Sequence, residues 1–193
     1  MRALDRTIAA TPPTIGETEA FDLEPLYRTY ARTVARWAGR LAGPGLDVED
    51  LLHEVFIIAH RRLPGFRGDA AQLRTWLYRT TAFVVRKRRH RERLRRFFFK
   101  SADKVTREAP SFTPTPLEEL ERRRRTDLVY RILETLPEKY RTALILFDLE
   151  GLSGEEVADL TGQKLSTLRV RLFRAREQFL ERINAIETEV LRG

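Results

Sequence analysis

The 193-residue chain contains no cysteine, so neither a disulfide framework nor a thiolate metal site is open to it. That absence fits a reducing compartment such as the cytoplasm. No apolar run approaches the ~18 residues that would suggest a membrane span, so no membrane insertion is expected. Residues 1–20, MRALDRTIAATPPTIGETEA, lack the apolar core of a signal peptide and read as a loose polar tail. No stretch alternates with the period of a strand, and no internal repeat is evident. Enzyme signatures are missing too. There is no glycine-rich phosphate loop and no nucleophile elbow. His53 and His60 share a helix face seven residues apart, but Ile57 stands where an HExxH frame needs its second histidine. The acidic residues are scattered over solvated helix faces without a metal-ligand cluster. These absences predict a protein that is not an enzyme and that uses no metal and no cofactor.

What is present is helical period and positive charge. With 42% apolar residues the chain can bury real cores in one or two domains. Its net charge is +8, and residues 86–96, RKRRHRERLRR, carry eight Arg/Lys against one Glu, so taking this +7 from +8 leaves +1 for the rest. One block supplies nearly all of the positive field. Such a block points to a polyanion, most often nucleic acid; the plainer readings are a solvated helix end or an acidic protein surface.

Two helical blocks flank a poor segment. In the first, Leu23, Leu26/Tyr27, Tyr30, Val34, Trp37 and Leu41 keep a helical stripe that Gly43-Pro44-Gly45 ends. Asp47 can cap a second helix with Leu51/Leu52, Val55/Phe56, Ala59 and Leu63, stopped by Pro64-Gly65. A loop from Phe66 to Ala71 follows. A third helix then carries Leu73, Trp76/Leu77, Thr80 and Val84 and runs into the basic block. The spacing of Trp76 places it in the core rather than on a stacking platform. Residues 97–116 have no period and three prolines, and read as a linker; the run Phe97-Phe98-Phe99 is odd for a solvated linker and suits docking on the first domain or a partner. In the second block Thr115 and Glu118 form a capping box with Pro116 at the first helical position. Leu117, Leu120, Leu128, Ile132 and Leu136 are its apolar positions, and Pro137 opens another helix with Tyr140, Leu144 and Phe147 on one side.

Residues 152–176 carry the most specific pattern. Ser153 with Glu156 makes a capping box, Gly162 sits where a helix must stop in a left-handed conformation, and Ser166 can cap a second helix. At about 100° per residue, Leu168, Leu172, Ala175 and Phe179 fall on one side of that helix and Thr167, Arg171, Arg174 and Gln178 on the other. The apolar side can dock on a small core while the polar side offers donors to a DNA groove. This is the helix-turn-helix pattern; the bland reading is a helical hairpin with a solvated basic face. The fold class expected is all-α, two small helical domains joined by a flexible linker, the C-terminal one a helix-turn-helix domain.

The order of motifs resembles the extracytoplasmic-function (ECF) group of bacterial RNA polymerase sigma factors, in the sigma-70 superfamily. The resemblance covers about Phe21 to Ile186 apart from the linker. It is carried by Asp50-Leu51 with Glu54-Val55-Phe56, then Phe66-Arg67-Gly68, Thr75-Trp76-Leu77, Leu136-Pro137 and Gly151-Leu152-Ser153, in order and at near-family spacing. It implies a tail at 1–20, sigma region 2 at 21–96, a linker at 97–116 and sigma region 4 at 117–193. It implies that Asp50, Leu51, His53, Glu54 and Ile57 bind the clamp helices of the polymerase β′ subunit. Phe66, Arg67, Asp69, Gln72, Arg79, Arg86, Lys87, Arg88 and Arg89 would recognise and melt the promoter −10 element. Ser166, Thr167, Arg169, Arg171, Arg174 and Gln178 would read the −35 element, with their domain seated on the β flap. The linker would thread toward the active-site and RNA-exit channels. The partners implied are core RNA polymerase, promoter DNA and an anti-sigma factor, in the cytoplasm. The short stretch after the last helix predicts no large regulatory domain there.

This chain departs from the family pattern in having Phe83 for an asparagine, Lys87 near a usual aspartate, His53 for a frequent glutamine, and a loop before Trp76 one residue longer. The alternative from another class is a stand-alone helix-turn-helix regulator that binds operators as a dimer; it would not need DLLHEVF or the loop-Trp unit.

Overall fold

A computed structural model describes residues 23–64, 66–98 and 116–192. These form seven α-helices and one π-helical turn, in two compact units that divide the chain between Val105 and Thr106. The expected tail at 1–20, the segment 99–115 and the cap at Thr115 lie outside the described residues.

The first unit is a three-helix core. Helix α1 spans Leu23–Ala42, α2 Val48–Arg62 and α3 Ala70–Phe98, and each packs on the other two. The backbone of α3 therefore takes in the first two residues assigned to the linker. Helix α1 buries Leu26, Val34, Trp37, Ala38 and Leu41 and ends at Gly43, whose φ of 70° is open to glycine at no steric cost. Asp47 caps α2, its Oδ1 accepting from the Glu49 and Asp50 amides at 2.9 and 3.4 Å. Leu51, Val55, Phe56 and Ala59 of α2 meet Leu77, Tyr78, Thr80, Thr81, Val84 and Val85 of α3 in the core. Thr81 is tolerated there because its Oγ1 donates to the Leu77 carbonyl at 2.8 Å. At the centre stands Trp37, fully buried, with the Tyr78 ring edge-on at 5.5 Å and the Arg74 guanidinium 5.9 Å above its indole. Trp76, expected in the core, is only half-buried; Trp37 holds the central place instead.

The second unit holds α4 (Pro116–Thr135), α5 (Glu138–Leu144), a π-helical turn (Ile145–Leu149), α6 (Gly154–Thr161) and α7 (Leu165–Arg192). The sequence predicts one continuous helix after Pro137. The chain instead widens at Ile145, and the Glu150 amide closes the wide turn on the Ile145 carbonyl at 2.9 Å. Ile145 and Leu146 are both buried there as neighbours. Ser153 and Glu156 form the expected capping box, at 3.2 and 3.0 Å. Gly162 ends α6 at φ 67° and ψ 37°, the left-handed position the motif requires. Helix α7 begins one residue early, at Leu165. The Lys164 carbonyl accepts the first bond, from the Leu168 amide at 3.0 Å, so Ser166 lies in the first turn and does not cap it. Leu168, Leu172 and Ala175 are buried against α5 and α6, and Phe179 is half-buried.

An alanine at position 162 would put a Cβ into left-handed backbone, at a cost of about 1–2 kcal/mol. Gly162→Ala should therefore lower hydrogen-exchange protection in the first turns of α7 by about 5- to 30-fold. Unchanged protection would show that the turn does not hold the two helices at their angle.

Candidate nucleic-acid interface

The contiguous cations of residues 86–89 do not share a surface. Successive helix positions turn by about 100°, and the buried stripe of α3 fixes which side faces inward. Lys87 Nζ donates to Glu54 Oε1 at 3.0 Å and Arg88 Nη2 to Asp50 Oδ2 at 2.9 Å, both reaching across to α2. Arg89 Nη1 donates to the Leu41 and Ala42 carbonyls at 3.2 and 2.9 Å, covering the C-terminal end of α1. These three side chains hold helices together, where the sequence reading put them on phosphates. Each ion pair is partly exposed and worth about 0–1 kcal/mol, so they orient more than they stabilise.

The outward side of α3 keeps a different set. Gln72, Trp76, Arg79, Phe83, Arg86 and His90 fall within an arc of about 80° opposite the buried stripe. The Arg86 guanidinium lies 5.9 Å over the Phe83 ring. An arrangement of cations and aromatic rings in line along one face suits a nucleic-acid backbone with unpaired bases.

The loop before α3 is organised by its own residues. Asp69 Oδ1 accepts from the Gln72 amide at 2.7 Å, and Gln72 Oε1 accepts from the Asp69 amide at 3.2 Å. Asp69 and Gln72, expected at the −10 element, thus cap α3 reciprocally. The D-A-A-Q spacing is the signal for that role. Phe66, expected on the melting surface, is 2% exposed and belongs to the core; Arg67 beside it is exposed. On α2, Leu51 is 1% exposed and cannot serve as a surface contact, whereas Asp50, His53 and Ile57 are exposed and Glu54 half-buried along one side. Ile57, at 52% exposure, is the apolar member of an otherwise polar face.

In the second unit Thr167, Arg171 and Arg174 line one side of α7, as the helical period predicts, with Gln178 further along. Lys139 and Tyr140 of α5 join Thr167, Arg171 and Arg174 around a shallow concavity of about 300 Å³. Lys139, with its ammonium 4.8 Å from the Tyr140 ring, is a cation the sequence reading missed; only the packing of α5 beside α7 brings it there. Arg169 stands about 200° from Thr167 and so does not share the side of Thr167, Arg171 and Arg174. It lines a separate apolar groove with Phe147, Leu165, Phe173 and Leu180. Ser166 is exposed in the first turn. Arg176 forks onto Asp148, Nη2 to Oδ1 at 2.6 Å and Nε to Oδ2 at 3.4 Å, and that hydrogen bond raises its pKa further. It fastens α7 to the π-helical turn.

Both units match known proteins over most of their length. Sigma-70 region 2 matches residues 26–96 and Sigma-70 region 4 matches residues 126–179. The chain is 36% identical over 177 residues to the ECF RNA polymerase sigma-E factor of Escherichia coli strain K12, covering 84% of this chain and 85% of that one. It belongs to the ECF sigma factors of the sigma-70 family. A second relative, ECF RNA polymerase sigma factor SigE of Mycolicibacterium smegmatis, is 33% identical over 156 residues, covering 80% of this chain and 59% of that one. In fold the chain is similar to CnrH, solved in complex with the cytosolic domain of CnrY, with a TM-score of 0.54 at 21% identity over 84% of this chain and 88% of that one. It is also similar to the sigma factor RpoE of Bartonella quintana, solved with the anti-sigma factor NepR, with a TM-score of 0.50 at 21% identity over 83% and 96%. Among the described residues no group of three His, Cys, Asp or Glu could hold a metal ion, and no helix is long and apolar enough to cross a membrane.

The division of cations on α3 has a measurable consequence. Arg79→Ala and Arg86→Ala should each reduce the salt slope of promoter binding by about 0.7–0.9. Lys87→Ala and Arg88→Ala should leave the slope as in the wild type. The slope of log affinity against log salt for the polymerase–sigma complex checks this, and a loss at Lys87 or Arg88 equal to that at Arg86 would contradict it.

Proposed function

We propose that this sigma factor divides its work between the two units as follows. The exposed side of α2, with Asp50, His53, Glu54 and Ile57, seats on the β′ clamp helices of core RNA polymerase. The loop at Arg67 and the outward stripe of α3, with Arg79 and Arg86, take the −10 element and hold it open. The side of α7 with Thr167, Arg171, Arg174 and Gln178, together with Lys139, takes the −35 element, while the second unit rests on the β flap. The segment between α3 and α4 links the two. The chain brings no catalytic group of its own to the polymerase. It acts in the cytoplasm and is held in reserve by an anti-sigma factor, as the Bartonella quintana relative is bound by NepR. The observation that carries this reading is that one chain bears two unlike DNA-suited faces. One carries aromatic rings among cations, suited to unpaired bases; the other is a polar helix side suited to a duplex groove.

Reconstitution tests it. The full chain is mixed with core polymerase, promoter DNA is selected from a random duplex library, and run-off transcription is measured on the selected sequence. Transcripts are expected only when chain and core are both present. A chain that binds DNA alone as a dimer and supports no transcript would replace this reading with the stand-alone regulator.

Within the −35 face, Arg171 lies nearer the start of α7 and is half-buried beside Tyr140, which suits paired donors aimed at a base edge. Arg174, one turn on, is exposed and suits a phosphate. Arg171→Ala should cost on the order of 1–3 kcal/mol at the selected site and relax preference at one base pair. Arg174→Ala should weaken all sites about equally. A panel of single-base −35 variants decides between them; a uniform loss with Arg171→Ala would make it a phosphate contact.

A further inference from the structure

The outward stripe of α3 has an apolar ring at its middle. Phe83 stands half-buried between Arg79 and Arg86, one helical turn from each, on the side away from the core. No core residue needs it there: the inward positions of that stretch are filled by Thr80, Thr81, Val84 and Val85. The Arg86 guanidinium lies 5.9 Å from the ring centroid, so charge and ring form one composite surface. The cations that follow, Lys87 to Arg89, are turned toward α2 and α1, which leaves this ring and its flanking arginines as the middle of the exposed side. A phenyl ring has no donor or acceptor with which to read a base edge, but it stacks on any base.

We propose that the Phe83 ring, backed by the Arg86 guanidinium, is a stacking site for one unpaired base of the melted promoter strand, and that it accepts all four bases at that position. The inference rests on the reading of this unit as the one that holds open DNA. It makes Phe83 a specificity-determining residue by omission: the promoter position it touches is held without being read. The neighbouring arginines take the phosphates on either side of the stacked nucleotide.

The polymerase complex of the full chain is titrated with the single promoter strand obtained by selection, each base of its −10 region being replaced in turn by an abasic site. With the wild type, removing the base at one position lowers affinity on the order of 5- to 160-fold. Exchanging that base among the four natural ones changes affinity by less than about threefold. With Phe83→Leu, which keeps an apolar side chain of similar reach, removing that base costs nothing further, while abasic sites elsewhere cost what they cost the wild type. Phe83→Tyr, which keeps the ring, retains the position-specific loss. An unaltered abasic profile with Phe83→Leu overturns the stacking site and leaves the sigma reading standing, because the strand is still bound. Strong discrimination among the four bases at the Phe83-dependent position overturns the tolerance. A complex that binds no promoter strand at all overturns both.

Discussion

The register of α3 against α1 and α2 is the constraint on which the first unit depends. Leu77, Tyr78, Thr81, Val84 and Val85 face Trp37, Leu51 and Val55, and full burial of Leu77, Val84 and Val85 alone supplies about 1.5–3 kcal/mol each. Once that stripe is set, every other side chain of α3 is assigned by rotation. Lys87 and Arg88 meet the acids of α2, Arg89 meets the end of α1, and Arg79, Phe83 and Arg86 are turned out. A run of like charges that would repel itself as a flat patch is thereby split. Part of it joins helices, and part forms a track with a ring at its centre. The weak surface ion pairs do not create this arrangement; the apolar stripe does, and the pairs settle into it.

The second unit is governed by a shorter-range device. The capping box at Ser153 and Glu156 starts α6, the left-handed Gly162 ends it, and α7 starts three residues later. Gly154 shows how close the approach is, since a Cβ there would stand 3.0 Å from Leu165 Cδ1. With the two helices set at that angle, Leu168, Leu172 and Ala175 go inward and Thr167, Arg171 and Arg174 stay on the outward side. The Arg176–Asp148 fork and the π-helical turn bring α5 alongside, and with it Lys139.

What the sequence disclosed follows the range of the forces involved. The caps at Asp47, Ser153 and Gly162 and the apolar stripes depend on residues a few positions apart, and they were legible. The roles of Lys87, Arg88 and Arg89 depend on where α2 and α1 lie, which no spacing within residues 86–96 reveals. Lys139 is hidden for the same reason. Trp37 and Trp76 both sit on helical stripes, and only the three-helix geometry decides which one fills the centre. Two assignments were open to correction from the sequence itself. The pair Asp69 and Gln72 has capping-box spacing, and Arg169 lies on the far side of α7 from Thr167 by simple rotation. The widened turn at Ile145 leaves no comparable mark, because EKYRTALILFDLE keeps a serviceable α-helical pattern throughout.

The absence of cysteine makes the central claim, that one helix splits its cations between helix contacts and DNA, directly measurable. Single cysteines at positions 79, 86, 87, 88 and 90 of the otherwise cysteine-free chain carry a short photo-crosslinker, and each labelled protein is irradiated in a complex with core polymerase and promoter DNA. Crosslinks to DNA are expected from positions 79, 86 and 90, with positions 87 and 88 giving little DNA and reacting within the chain itself. Equal DNA crosslinking along the whole run, or a maximum at 87 and 88, would contradict the account.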